Sequence, residues 1–157
     1  MPPHGRLACG PHRLGHARGE PDRPPQAPIW LRRYGDPQWL PGYCVLLSDD
    51  PTVDRVSALP QGKQTEYLQS MALLGSAVER ACGEHDEAFL RVNLEILGNA
   101  DAFLHAHVWP RYGWEPANIV KRPVWLYPVE RWADAGTALG PQHDDLRALI
   151  TAYLDEG

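Results

Sequence analysis

Two alternating runs joined by turn residues constrain this chain more than any other feature. The stretch Asn93-Leu94-Glu95-Ile96-Leu97-Gly98-Asn99-Ala100-Asp101-Ala102-Phe103-Leu104-His105-Ala106-His107-Val108-Trp109-Pro110-Arg111 reads as a strand, a Gly-Asn turn and a second strand. If Phe103 to Trp109 is extended, Phe103, His105, His107 and Trp109 share one face, and Leu104, Ala106 and Val108 share the other. Two imidazoles then stand on the same side, roughly 7 Å apart at their backbones, as the strand rise dictates. Spacing leaves three readings open. The pair could be ordinary polar residues on a half-exposed strand or two ligands to a metal. In the third, one neutral imidazole attacks phosphorus while the other holds a phosphate oxygen.

Composition narrows the setting. A chain of 157 residues, 43% hydrophobic and 22% charged, suits one globular domain with a sizeable core. No apolar run approaches a membrane span and the N-terminus lacks the apolar segment of a secretory signal, so a cytoplasmic protein without a membrane partner is expected. Cys9, Cys44 and Cys82 are an odd set with no Cys-x-x-Cys spacing. Neither a disulfide framework nor a cysteine-built zinc site is indicated, and Cys44 and Cys82 read as small core residues. Formal net charge is -5; residues 1–28 carry +2, which leaves -7 on the remainder. An acidic body is a poor partner for polymeric nucleic acid, although a small phosphorylated ligand needs only local donors.

The expected domain plan is a disordered arm over residues 1–28 and a single domain over 29–157 with a C-terminal extension. The arm is rich in Pro, Gly, Arg and His, without apolar periodicity. Ile29 to Tyr34 is a short strand, and Tyr43 to Ser48 is a second, apolar on both faces and therefore central in a sheet. Asp50-Pro51 has the form of a helix start, with a short helix to about Leu59. Tyr67, Met71, Leu74, Val78 and Ala81 mark the buried stripe of a long helix from about Lys63 to Cys82, with Gly83 as its stop. Leu146, Leu149, Ile150, Tyr153 and Leu154 mark a C-terminal helix, and His143 reads as a surface residue near its start. On the strand Arg91 to Leu97, Arg91, Asn93 and Glu95 oppose Val92, Leu94 and Ile96. Asn93 and Asn99 are candidates for the rim of a ligand cleft, with solvation and turn formation as their alternatives. Trp114, Trp125 and Trp132 either clamp a loop or wall a purine pocket.

Phe103-Leu104-His105-Ala106-His107-Val108-Trp109 resembles the signature of the histidine-triad (HIT) superfamily of nucleotide hydrolases and transferases, His-φ-His-φ-His-φ-φ with φ apolar. His105 falls on its central, nucleophilic position and His107 on the last; Phe103 departs from the pattern at the first. Asn93-Leu94-Glu95-Ile96-Leu97-Gly98-Asn99 and Pro123-Val124-Trp125 resemble elements of a branch similar to diadenosine tetraphosphate hydrolase-like proteins. The resemblance spans roughly residues 29 to 127. It implies an α+β fold, an antiparallel sheet with one long and one short helix, to which this chain adds its C-terminal helix. It also implies a reaction at an α-phosphate through a nucleotidyl-histidine intermediate, without a cofactor or metal, and often a homodimer. In that reading His105 attacks as a neutral ring whose other nitrogen needs an acceptor such as a backbone carbonyl. His107, protonated or donating, stabilises phosphate charge with Asn99 and Arg111. Asp36, near the family's ribose-binding acidic position, and Asn93 contact the nucleoside. The alternatives are a nucleotide-binding module with weak or no catalysis, or a hydrolase whose His pair binds a metal.

Overall fold

The computed structural model describes residues 31–34 and 37–156. The expected arm, Cys9 and Asp36 lie outside the described residues. Four antiparallel strands form one sheet in the order β1-β2-β4-β3, with β1 at Leu31–Tyr34, β2 at Cys44–Leu47, β3 at Phe89–Ile96 and β4 at His105–Tyr112. The doubly apolar β2 lies inside the sheet, as its composition predicts, because both faces must be covered. Every residue of β4 is buried.

The junction between β3 and β4 differs from the two-residue turn that Gly98-Asn99 suggests. Residues 97–104 form a longer loop and β4 begins at His105. Leu104 is drawn away from the hairpin: its N–H donates to Val53 O at 2.6 Å and its carbonyl accepts from Ser48 N–H at 3.0 Å. These bonds tie the loop to the segment after β2, so Phe103 precedes the strand rather than opening it. Pro110 stands within β4, where a missing N–H would break a central ladder. The β2–β4 pairing has ended by then, its last pair being Cys44 with Val108.

Helix α1 (Gln61–His85) covers one face of the sheet, and Tyr67, Leu74, Val78 and Ala81 are buried along the stripe their spacing marks. It runs through Gly83 instead of stopping there. Its end is made by Asp86, whose N–H bonds Cys82 O and whose carboxylate accepts from Ala88 N–H. The expected helix after Asp50 is absent. The Asp50 carboxylate accepts from the Thr52 N–H and hydroxyl at 2.9 and 2.6 Å, a local turn that satisfies the would-be cap, and only a 3-10 turn at Val56–Ala58 follows. A short helix α2 (Val129–Trp132) and the C-terminal helix α3 (Asp144–Asp155) complete the chain. Leu146 and Ile150 of α3 enter the core, with Leu149, Tyr153 and Leu154 packed beside them.

One glycine is demanded by space. Gly42 has φ +90°, and a Cβ there would stand 2.5 Å from Cys82 Sγ. The turn that delivers β2 therefore presses directly on α1, and Gln38 clamps it by accepting from Gly42 N–H and donating to Tyr43 O, both at 2.9 Å. Cys44 and Cys82 are buried free thiols, as small core residues should be. Among the described residues no helix is long and apolar enough to cross a membrane.

Candidate functional site

The face of the sheet opposite α1 carries the two histidines. His105 pairs across the ladder with Leu47, while His107 sits between Val45 on β2 and Glu95 on β3. The two rings are 4.9 Å apart between centroids and nearly perpendicular, at 84°. Both residues are buried, at 7% and 6% exposure, so any polar ring atom without a partner costs stability.

Each ring is fixed at Nδ1. His105 Nδ1 lies 2.8 Å from Phe103 O. A carbonyl can only accept, so Nδ1 carries a proton, and in the neutral ring the lone pair is on Nε2. His107 Nδ1 lies 2.7 Å from the Tyr43 hydroxyl. With that hydroxyl donating, the neutral His107 ring carries its proton on Nε2. Burial holds Tyr43 well above the ordinary phenol range, with smaller contributions from Cys44 and Glu95. Burial first, and then the neighbouring His105, pull His107 down to about 4. Burial thus keeps the His107 ring neutral near pH 7, and in the neutral form of His105 a bare Nε2 stands beside it. For His107 this selects donation over a standing positive charge.

Aromatic rings wall this face. Phe103 lies 4.8 Å from the His105 ring, so its ring reaches the site although its backbone has left the strand. Tyr43 stacks on Trp109 at 3.6 Å and 6°, and Trp109 stacks on His107 at 5.4 Å and 9°. Trp125 meets His107 edge-on at 4.8 Å and 77°, and is itself stacked on Trp132 at 5.1 Å. Trp132 meets Trp39 edge-on, and Trp39 packs against Tyr127. Two of the three C-terminal tryptophans thus line the histidine face, while Trp114 stacks on Tyr112 away from the pair.

Arg111 has a different occupation from the phosphate contact expected of it. It is 2% exposed, and its Nε and Nη2 bond the Glu115 carboxylate at 2.9 to 3.1 Å. Nη1 donates to Arg122 O, and Nη2 also reaches Val120 O and Ile119 O. Glu115 accepts in addition from Tyr112 N–H at 2.7 Å and Tyr127 hydroxyl at 2.5 Å. The guanidinium therefore pins the loop that carries Trp125 instead of facing a ligand, because a buried charge is stable only when its partners are all supplied.

Of the other sequence candidates, Asn93 is half-buried opposite Trp109 on the histidine face, whereas Asn99 is exposed in the loop before β4. Neither side chain makes a hydrogen bond among the described residues. Two residues of the site, Tyr43 and Glu95, were not singled out by motif. The polar face of β3 contained a signal for Glu95, but only the register sets it across from His107, and only the fold brings the Tyr43 hydroxyl, just before β2, to the same ring. Among the described residues no cluster of three or more His, Cys, Asp or Glu side chains is placed to hold a metal.

The architecture is shared with known structures. A histidine triad (HIT) protein from Sinorhizobium meliloti 1021 aligns with a TM-score of 0.52 at 21% identity, covering 73% of each chain. A histidine triad protein from Marinobacter aquaeolei VT8 aligns with a TM-score of 0.50 at 22% identity, covering 71% of this chain and 75% of the other. No family model matches the sequence, and no curated protein matches it. The likeness shows a HIT-like α+β fold, the class that the motif implies.

Proposed function

We propose that this chain is a nucleotide hydrolase or nucleotidyl transferase that acts at an α-phosphate through His105. The observation that carries the reading is the bond from His105 Nδ1 to Phe103 O, which fixes the ring so that in its neutral form Nε2 is the attacking atom, beside the ring of His107. In-line attack forms a bond from His105 Nε2 to phosphorus and breaks the bond to the leaving group, which departs with the electron pair. His107 donates to a non-bridging oxygen as charge develops there. Water or another acceptor then attacks phosphorus, the P–N bond breaks with its electron pair returning to Nε2, the acceptor's proton passes to solvent, and the imidazole returns to neutrality.

Asn93 is the proposed nucleoside contact on the histidine face, and Asn99 is the proposed phosphate contact from the loop. Asp36 keeps its proposed ribose role through the resemblance alone. Dinucleoside polyphosphates such as diadenosine tetraphosphate are substrates to test, and a cytoplasmic setting fits such a reaction. A second copy of the chain is the proposed protein partner. Its support is β3, an edge strand with exposed Leu90, Leu94 and Ile96, together with exposed Leu68 and Leu73 on α1. Light scattering should give a dimer mass, and a monomer at micromolar concentration would remove that partner.

His105→Ala should lower release of nucleoside monophosphate by about a thousandfold or more while the chain stays folded. Turnover by the variant at the wild-type rate would reject the assignment. Phe103 favours one second reading, a nucleotide-binding module with little catalysis, because the first motif position lacks a proton-carrying ring. Tight nucleotide binding without turnover across adenylylated and guanylylated substrates would select that reading.

A further inference from the structure

Glu95 stands across the ladder from His107, on the face that the proposed reaction uses. One of its oxygens accepts from the Trp125 indole N–H at 3.0 Å. The bond joins an edge strand to a loop thirty positions later in the chain. Other indoles of the same wall are treated differently: the N–H groups of Trp39 and Trp109 are buried with no partner among the described residues. Trp39 and Trp109 are held by the core around them, whereas Trp125 is 42% exposed. Its backbone is anchored next door by Val124, which is fully buried. The indole's own direction depends on the carboxylate and on its ring contacts with His107, Trp109 and Trp132.

Rotation of this half-exposed indole about its side-chain torsions is opposed by those ring contacts. A charge-assisted hydrogen bond suppresses that rotation. Held as it is, Trp125 presents one ring edge to the phosphate-handling imidazole and leaves part of its surface to solvent. An aromatic wall in this position suits the nucleoside end of a ligand whose phosphate lies at the histidines.

We propose that Glu95 is a positioning residue, whose carboxylate holds Trp125 edge-on against His107 as the wall for the nucleoside of the bound nucleotide. The proposal rests on the nucleotide reading above. Its geometry can be tested without turnover, and its ligand role separately.

The geometric test is the indole N–H spectrum of the full chain, with the Trp125 resonance identified by its loss in Trp125→Phe. In Glu95→Ala that resonance should move upfield and its proton should exchange with solvent about tenfold faster or more. Glu95→Gln, whose amide oxygen still accepts, should restore both. An unchanged Trp125 resonance in Glu95→Ala overturns the positioning role. The ligand test is titration with adenosine monophosphate. Glu95→Ala and Trp125→Phe should each weaken its Kd by roughly 3- to 10-fold, and the double variant should be no weaker than the worse single one. Glu95→Gln should bind as tightly as wild type or tighter, since it keeps the hydrogen bond and removes a negative charge. Equal weakening in the Gln and Ala variants, although Gln keeps the hydrogen bond, would overturn the proposal. Absence of binding by wild type overturns the nucleotide reading and the nucleoside role with it, while the indole spectrum still decides whether Glu95 positions Trp125.

Discussion

Two buried polar clusters lie along β4, and they are finished to different degrees. At its C-terminal end, Arg111, Glu115 and Tyr127 close on one another and on the carbonyls of Val120 and Arg122. At its N-terminal end, Tyr43, His107 and His105 are tied only at Nδ1, and no bond is made by either Nε2 among the described residues. Both clusters are withdrawn from water, so both carry a desolvation cost. In the first, ion pairing and hydrogen bonds offset it, and the product is a rigid loop. In the second, the two Nε2 atoms have no protein partner among the described residues and are not sealed from solvent, and the product is a pair of ring atoms available to a ligand. Burial alone therefore does not mark a functional site; the unfinished set of partners does.

The closed cluster is the more sensitive of the two to loss of one partner. Glu115→Ala should strand the Arg111 guanidinium, whose side chain is 3% exposed, and cost about 3–5 kcal/mol in denaturant unfolding. A loss under about 1 kcal/mol would mean that the ion pair is not the pin described here.

The open cluster should register in the acid limb of stability. His107 is held at about 4 when folded, against about 6.5 for an unfolded imidazole. The unfolded chain then binds more protons between these values, so stability falls as pH drops through that window and levels off below it. The contribution is on the order of 3 kcal/mol. His107→Gln should flatten this part of the stability curve, and a slope identical to wild type would contradict the assignment of a neutral buried ring.

A smaller effect separates orientation from packing. Tyr43→Phe keeps the ring that stacks on Trp109 and removes the hydroxyl that fixes His107. Turnover should fall about tenfold through kcat, with a stability change of about 1 kcal/mol. Unaltered kcat would show that the tautomer needs no such donor.

Much of this arrangement was legible in the sequence because it depends on local alternation. The two-faced apolarity of Cys44 to Leu47 placed β2 inside the sheet, and the His-x-His spacing placed both imidazoles on one side. The need of a neutral attacking ring for an acceptor at its second nitrogen is met by Phe103 O. What could not be read depends on partners remote in the chain or on competing local bonds. Asp50-Pro51 looks like a helix cap, but Thr52 uses the carboxylate first. Gly98-Asn99 looks like a tight turn, but Leu104 is captured by Val53 and Ser48 and the loop lengthens. Arg111 looked available for phosphate because its consumption by Glu115 depends on how the following loop folds back. Glu95 became visible as a neighbour of His107 only once the register across that loop was known.

The central claim is that His105 Nε2 attacks phosphorus, and covalent trapping tests it most directly. Wild-type protein should be mixed with nucleotide labelled at the α-phosphate, quenched in alkaline denaturant and cleaved to peptides. The account predicts label on the peptide containing His105, stable in base, released in acid and absent from His105→Ala. Monophosphate release with no label on that peptide, or with label retained in His105→Ala, would contradict it.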